Sequence, residues 1–104
     1  MKNILLVCAA GMSTSLLVTK MEKAAVNKNE EIKIKATSGS DIKSSINEAD
    51  ILLLGPQVSY LKEDYEKRFG GESGIPVEVI DNVDYGMMNG EKVLNWALKI
   101  MNAK

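Results

Sequence analysis

The sequence contains no histidine and only one cysteine, Cys8, among its 104 residues. These absences exclude an internal disulfide, a zinc site built from cysteine and histidine, and every catalytic triad that uses a histidine base. Covalent chemistry performed by this chain alone would need Cys8, a hydroxyl, a lysine or a carboxylate as its nucleophile. We expect neither a bound metal nor a cofactor.

Aromatic residues are also scarce, at 5% of the chain, and no run of charge of one sign is present. The 13 basic and 14 acidic residues are interspersed, which argues against binding nucleic acid by counterion release or by base stacking. No window reaches the roughly 20 apolar residues that span a bilayer, and the opening apolar run is too short for a signal peptide. The composition predicts one cytoplasmic domain over residues 1–104, with a reduced thiol and a core of its own.

What is present is an alternation of short apolar runs and segments of helical periodicity. The runs are 4–7, 32–36, 51–54 and 77–80, and the helical candidates are 14–28, 41–48, 58–69 and 90–103. Such alternation is typical of an α/β fold. We therefore expect a three-layer sandwich, in which a four-stranded parallel sheet carries helices on both faces.

The character of each run predicts the order of the strands. The first and third are continuously apolar, as in strands buried on both faces, whereas the second alternates apolar and polar residues, as at a sheet edge. The order 2-1-3-4 satisfies both patterns with right-handed crossovers. Its switch point lies between strands one and three, where ligands collect beyond the carboxyl ends. Cys8 and the segment 55–57 are expected there.

The segment from Cys8 to Leu16 is expected to form a loop that joins the first strand to the first helix. Gly11 supplies conformational freedom, and Ser13, Thr14 and Ser15 supply hydroxyl donors that could also cap the helix. Backbone N–H groups directed into such a loop at a helix N-terminus form an anion site, which would lower the pKa of the Cys8 thiol and hold a phosphoryl group bonded to sulfur.

Plainer interpretations of the same residues stay open. A lone cysteine at the end of a strand is commonly a small buried apolar residue, and three hydroxyl residues in a row can be an ordinary helix cap. Their combination at a switch point, with a glycine between them, favours a nucleophile that holds phosphate.

Three segments together resemble the lactose/cellobiose-type IIB component of the bacterial phosphoenolpyruvate-dependent sugar phosphotransferase system. They are Cys8-Ala9-Ala10-Gly11-Met12-Ser13-Thr14-Ser15-Leu16-Leu17, Leu53-Leu54-Gly55-Pro56-Gln57-Val58-Ser59-Tyr60, and Val77-Glu78-Val79-Ile80-Asp81 with Tyr85-Gly86. The resemblance extends over essentially the whole chain, at the length expected of the family.

The resemblance implies a phosphoryl carrier. A phosphohistidine of a IIA protein would donate to Cys8, and the phosphocysteine would pass the group to a sugar such as cellobiose, lactose or a chitobiose-like disaccharide. The membrane component IIC would hold that sugar and would be the only link to the membrane. The phosphoryl group would lie in the loop formed by Ala9, Ala10, Gly11, Met12, Ser13, Thr14, Ser15 and Leu16.

The expected sheet and loop are also similar to those of low-molecular-weight tyrosine phosphatases, with one departure. Those enzymes place an arginine six residues after the cysteine, where this chain has Thr14. The alternatives are therefore a phosphatase-like thiol enzyme, against which Thr14 argues, and a non-catalytic regulatory module in which Cys8 is inert.

Three further residues are secondary candidates at the same edge. Gln57 could donate to the phosphoryl group or cap the following helix, and Tyr60 is expected to pack with its hydroxyl in water. Asp81 could act as a weak base but is expected to accept a hydrogen bond from a loop N–H. Met12, Met87 and Met88 are candidates for adaptable contacts with IIA or IIC, or otherwise for core filling.

Overall fold

Four parallel strands form one sheet in the order β2-β1-β3-β4. The structure is a computed structural model that describes residues 2–7, 11–37, 42, 46–70 and 74–102, with backbone only at 11–14 and 69–70. The strands are β1 (Lys2–Val7), β2 (Ile32–Thr37), β3 (Ile51–Leu54) and β4 (Val77–Val79). The predicted strand order is therefore confirmed.

Burial explains why the strands take these positions. Ile4–Val7 in β1 and all four residues of β3 are buried, as expected for strands covered on both faces. β2 alternates between exposed lysines and apolar residues, which suits its place at the edge. Leu54 pairs with Val7 on one side and Val79 on the other, so three strands end at the same level. We call this end of the sheet the carboxyl edge.

One face of the sheet is covered by regular helices, α1 (Gly11–Asn27) and α4 (Gly90–Asn102). Leu17 and Met21 of α1 and Leu94 of α4 are fully buried in one cluster with the side chains that this face presents. The two helices meet closely at Gly90, where a β-carbon would lie 2.6 Å from the backbone nitrogen of Met21. Only a glycine allows this approach without a shift of one helix.

The other face is covered by a segment that changes helical type twice. It comprises a 3₁₀ segment (Pro56–Leu61), the single α-helical turn α2 (Lys62–Tyr65) and a π-helical turn (Glu66–Gly70). Val58 and Tyr65 bury their side chains against Leu5, Leu52 and Leu54 of the sheet. Helices on both faces confirm the predicted three-layer arrangement.

The regular helix predicted over 58–69 is therefore wrong in its conformation, although its buried face is correct at Tyr65. Val58 has φ −116° and ψ 25°, outside the helical range, and this backbone turns its side chain into the core. Within the candidate 41–48, the structure describes Ile42, which is buried, and a 3₁₀ turn over Ile46–Glu48. The remainder of that candidate lies outside the described residues.

A short helix, α3 (Asn82–Gly86), follows β4 and was not predicted. It spans too few residues to produce a helical period, but it begins at an aspartate, the residue type that caps helices. Tyr85 anchors it in the cluster beneath α1 and α4. The final helix starts at Gly90, as predicted, and is described as far as Asn102.

Candidate functional site

The candidate site lies at the carboxyl edge, where the chain leaves β1. Val7 is fully buried, and its carbonyl accepts a hydrogen bond of 2.9 Å from the Gly55 amide. The Leu54 carbonyl likewise accepts from the Ile80 amide at 2.8 Å. These bonds tie the ends of β1, β3 and β4 together. Cys8 directly follows Val7 in the sequence but lies outside the described residues, so its position at the switch point stays a prediction.

Cys8, Ala9 and Ala10 lie outside the described residues, and α1 already begins at Gly11. The expectation that the connecting loop extends to the start of the predicted helix at 14 is therefore wrong at Gly11, Met12 and Ser13, whose backbone is helical, whereas Thr14, Ser15 and Leu16 lie within the predicted helix 14–28.

The early start of α1 has a physical cause. Glycine, serine and threonine are weak helix formers, so the residue pattern predicts that the first helix starts later, at residue 14. Once Leu17 and Met21 anchor the helix in the core, adding a preceding turn costs little, because helix propagation is far easier than nucleation. The first N–H groups of α1 have no acceptor within the helix, so a positive end of the helix dipole lies two residues after Ala9.

Two of these residues have described side chains. Ser15 and Leu16 lie in the second turn of α1 and are exposed, Leu16 by 50%. The Ser15 carbonyl accepts a hydrogen bond of 3.1 Å from the Thr19 hydroxyl. The predicted contacts of Ser15 and Leu16 with a phosphoryl group stay predictions.

Gln57 and Tyr60 lie in the 3₁₀ segment that follows β3, beside the same edge. The residue that caps this segment is Gly55, without a side-chain hydrogen bond, so the alternative that Gln57 acts as the cap is wrong. Gln57 is exposed. Tyr60 is 75% exposed, so the expectation that its ring packs against the protein is wrong. Val58 takes the buried position of this turn and directs its neighbours toward solvent.

Asp81 lies one residue beyond Ile80, at the start of α3. Its Oδ2 accepts hydrogen bonds from the amides of Val83 at 3.1 Å and Asp84 at 3.2 Å. The expectation that Asp81 binds a nearby N–H is confirmed, and its role as a helix cap is structural. An open groove separates the two segments at this edge, lined by Pro56, Ser59, Val79, Ile80, Asp81 and Asn82.

The two methionines after α3 differ in their surroundings. Met87 is 73% exposed, whereas Met88 has φ +54° and packs against the cluster beneath α1 and α4. Met87 thus keeps the character of a contact residue, and Met88 fills the core. Sequence reasoning did not single out Val83, which is 64% exposed one turn before Met87.

The described residues contain no group of three or more acidic or cysteine side chains placed to hold a metal ion. Within the same residues, no helix has the length and apolar character needed to traverse a bilayer.

The family profile described as "PTS system, Lactose/Cellobiose specific IIB subunit" matches residues 3–95. This match includes the β1–α1 connection, helix α3, and the segment that follows β3. The chain belongs to the lactose/cellobiose-specific IIB family of the phosphotransferase system. The resemblance read from the three sequence segments is therefore confirmed.

Individual IIB proteins agree with this assignment. The chain is 47% identical to the "PTS system cellobiose-specific EIIB component" of Lactococcus lactis subsp. lactis, and 47% identical to the "PTS system galactose-specific EIIB component" of Lactococcus lactis subsp. cremoris. Each alignment covers 97% of both chains. The solution structure of a cellobiose-specific IIB component from Borrelia burgdorferi has a TM-score of 0.81 at 45% identity, covering 99% of this chain and 94% of that one.

Proposed function

We propose that this IIB chain, as one phosphocarrier domain over residues 1–104, carries a phosphoryl group on the sulfur of Cys8. In the first step the thiolate attacks the phosphorus of a phosphohistidine on IIA, so that the N–P bond breaks and an S–P bond forms. In the second step a sugar hydroxyl held by the membrane component IIC attacks the phosphocysteine and loses its proton. The O–P bond forms as the S–P bond breaks, Cys8 leaves as a thiolate that can take up the proton, and the sugar leaves as its phosphate ester.

The observation that carries this proposal is the position of Cys8 in a IIB fold. The residue follows the last buried residue of a central strand, and two residues separate it from the first residue of a 17-residue helix. An anion at such a helix end is stabilised by free N–H groups and by the helix dipole. We propose that Ala9 to Leu16 surround the phosphoryl group, with Gly11, Ser13, Thr14 and Ser15 as its principal contacts.

The same site is suited to storing the phosphoryl group. Catalysis of phosphate-ester hydrolysis benefits from cations that stabilise charge on the equatorial oxygens. Thr14 stands where low-molecular-weight phosphatases have an arginine, and the groove residues at this edge include no lysine or arginine. We expect the phosphocysteine to persist in water until an acceptor sugar is supplied.

The sugar is proposed as a class. Relatives of equal identity are named for cellobiose and for galactose, so the IIB sequence does not distinguish these sugars. Because IIC holds the sugar, we propose a cellobiose-like disaccharide, including lactose and chitobiose, as the acceptor. The transfer would take place on the cytoplasmic side of the membrane, where phosphoenolpyruvate supplies the phosphoryl group.

A reconstituted transfer assay tests the proposal. The chain is incubated with radiolabelled phosphoenolpyruvate, the two general phosphotransferase proteins and the IIA protein of the same organism. We expect label on the wild-type chain, and mass spectrometry should locate it at Cys8. Cys8→Ser should lose the label, while Val26→Ser, at the opposite end of α1, should keep it. Label that persists in Cys8→Ser, or rapid hydrolysis of a generic phosphate ester by the wild type, would overturn the proposal.

A further inference from the structure

A chemically labile pair of residues lies in the turn between α3 and α4. Asn89 is followed by Gly90, and it is the only asparagine in the sequence that precedes a glycine. Asn89 is exposed to water. The amide carbon of an asparagine is open to attack by the backbone nitrogen of the next residue, and a glycine, which has no side chain, hinders that attack least. The pair is therefore a candidate site of spontaneous deamidation.

Both residues of the pair have a structural reason to be there. Gly90 abuts α1, where a β-carbon would lie 2.6 Å from the backbone nitrogen of Met21. Asn89 caps α4, because its Oδ1 accepts a hydrogen bond of 3.1 Å from the Lys92 amide. Serine or aspartate would also cap the helix, so the asparagine can be replaced without loss of the cap. The glycine cannot be replaced without moving a helix.

Deamidation of this pair needs water as its only co-reactant. Hydroxide removes the proton of the Gly90 amide, and the nitrogen attacks Cγ of Asn89. The bond from the nitrogen to Cγ forms, the bond from Cγ to Nδ2 breaks, and Nδ2 leaves as ammonia after taking a proton from water, which restores the hydroxide. Water then opens the succinimide ring. Addition at Cγ gives aspartate, and addition at the main-chain carbonyl carbon gives isoaspartate, in which the chain runs through the former side chain.

The fold holds the pair in an arrangement that resists ring closure. The Gly90 amide donates to the Met88 carbonyl at 2.9 Å, and the Asn89 amide donates to the Asp84 carbonyl at 3.0 Å. The Asn89 side chain is directed at the Lys92 amide, three residues along the chain. Ring closure needs the Gly90 proton to be lost and Cγ to turn onto the Gly90 nitrogen, so the bonds to Met88 and Lys92 must break first. The reaction therefore requires local opening of the turn, which a folded protein undergoes only part of the time.

An ion pair also joins the two helices on either side of Asn89. The Asp84 carboxylate, in α3, lies 3.4 Å from the Lys92 ammonium, in α4, and the Asp84 side chain is only 14% exposed. Because the pair bridges the turn, it opposes the opening that deamidation needs.

The two products of deamidation differ in their effect on the fold. Aspartate leaves the main chain unchanged, and its carboxylate caps α4 as the amide did, at the positive end of the helix dipole. Isoaspartate adds one carbon to the main chain before Gly90, so Gly90 cannot keep both its place against α1 and its place in α4. Leu17 and Met21 of α1 are buried in one cluster with Leu94 of α4. Isoaspartate therefore loosens the packing that supports α1.

We propose that Asn89 is a modification site, where the chain deamidates at a rate set by opening of the turn between α3 and α4, and where the isoaspartate product weakens the contact between α1 and α4. The proposal goes beyond the proposed function and does not depend on it, because neither the reaction nor its effect on the fold involves Cys8. Slow modification of this kind acts on the helix that follows Cys8 in the sequence.

The test follows deamidation in the full chain at mildly alkaline pH, once folded and once unfolded in guanidinium chloride. Trypsin cleaves after Lys92 and so separates Asn89 from Asn95, an exposed asparagine that precedes Trp96 and serves as the internal control. Mass spectrometry detects conversion of the amide to a carboxyl group, and a protein isoaspartate methyltransferase labels only the isoaspartate product. Asn89→Ser keeps a helix cap and lacks the amide, so it is the unreactive control.

Two further variants test whether opening of the turn sets the rate. Asp84→Ser removes the ion pair with Lys92, and Asp64→Ser removes an ion pair of the same length, 3.4 Å, between Asp64 and Arg68 on the other face of the sheet. We expect D84S to deamidate about threefold faster than the wild type, because a partly exposed ion pair changes a local equilibrium by a factor of this size. D64S should deamidate at the wild-type rate.

We expect Asn89 to convert at least about tenfold faster in the unfolded chain than in the folded one, because the closed turn protects it. Asn95 should stay unchanged in the folded protein, and N89S should carry no methyl label in the peptide that contains residue 89. The isolated isoaspartate form should unfold at a lower urea concentration than the wild type, whereas Asn89→Asp should unfold at the same concentration or a higher one.

Several outcomes would overturn the proposal. No conversion of Asn89 in the unfolded chain would remove the modification site. Equal rates in the folded and unfolded chains, or a D84S rate no higher than that of D64S, would show that opening of the turn does not set the rate. An isoaspartate form as stable as the wild type would remove the effect on the two helices. None of these results bears on phosphoryl transfer, which the labelling of Cys8 tests separately.

Discussion

The two layers that cover the sheet are built differently, although their sequences predict helices of similar quality. On one face α1 and α4 are regular helices of 17 and 13 residues that pack against each other as well as against the sheet. On the other face the longest α-helical piece among the described residues is four residues, between a 3₁₀ segment and a π-helical turn. A helix is regular where a second helix supports it, because short helices are marginal without such packing. The regular layer begins with the helix that follows Cys8.

The largest expected effect compares one leucine from each layer. Leu94 in α4 is fully buried, whereas Leu61 in the 3₁₀ segment is only partly buried. Leu94→Ala should lower the free energy of unfolding by about 3 kcal/mol, since it removes apolar contacts and leaves a cavity. Leu61→Ala should cost about 1 kcal/mol, because its surroundings already include solvent. Urea denaturation measures both, and equal losses would contradict the difference between the layers.

A smaller effect is expected at the contact between the two regular helices. Gly90→Ala would place a methyl group 2.6 Å from backbone atoms of Lys20 and Met21, so α1 and α4 must separate. We expect a loss of about 2 kcal/mol, typical of overpacking.

Gly86→Ala is the matched control, because a β-carbon at Gly86 meets nothing within 4 Å. Gly86 lies in α3, where alanine is the better helix former, so this change should be neutral or slightly stabilising in urea denaturation. A Gly90→Ala variant as stable as Gly86→Ala would show that the two helices adjust to a methyl group without loss.

The smallest effect concerns pH and the irregular layer. Burial raises the pKa of Tyr65 above its ordinary value of 10.0, and the nearby Asp64 and Tyr60 add to the rise, while the Arg68 guanidinium opposes it. Because of the raised pKa, the Tyr65 hydroxyl stays protonated to a higher pH in the folded state than in the unfolded state. The contribution of protonated Tyr65 to the free energy of unfolding is therefore present in full below about pH 10, and it is lost as the pH rises through the pKa of the folded state.

Tyr65→Phe should remove this part of the alkaline decline. The free energy of unfolding of both proteins is measured by urea denaturation at several pH values on either side of pH 10. The difference between the variant and the wild type should move in favour of the variant as the pH rises, by less than about 1 kcal/mol. A constant difference across this range would refute the assignment of the shift to Tyr65.

The sequence was sufficient to predict the sheet and the order of its strands. Continuous apolar runs mark the strands buried on both faces, an alternating run marks an edge, and the handedness of crossovers leaves one order that satisfies both. Strand position and strand order depend on burial and on chain connectivity, and both can be inferred from the pattern of apolar and polar residues. The order β2-β1-β3-β4 and the level ends of β1, β3 and β4 follow that pattern.

The local conformation of the connections was not predictable in the same way. α1 begins three residues earlier than expected because Leu17 and Met21 secure it in the core. The segment after β3 departs from α-helical geometry at Val58, which a helical period of apolar residues does not reveal. α3 has too few residues for any period, and its Asp81 cap was the sole local signal. In each case contacts with distant residues outweigh local preference.

Some features of the candidate site were likewise predictable from the sequence, and others depend on the tertiary structure. That a thiol follows a central strand is a property of the sequence, because strand ends and switch points follow from topology. The exposure of Tyr60, Val83 and Met87 at one edge is a property of the tertiary structure, because Val58 and Tyr85 occupy the buried positions beside them. An apolar residue in the sequence shows a tendency toward burial. Competition with its neighbours for space in the core decides whether it packs inside or stays on the surface.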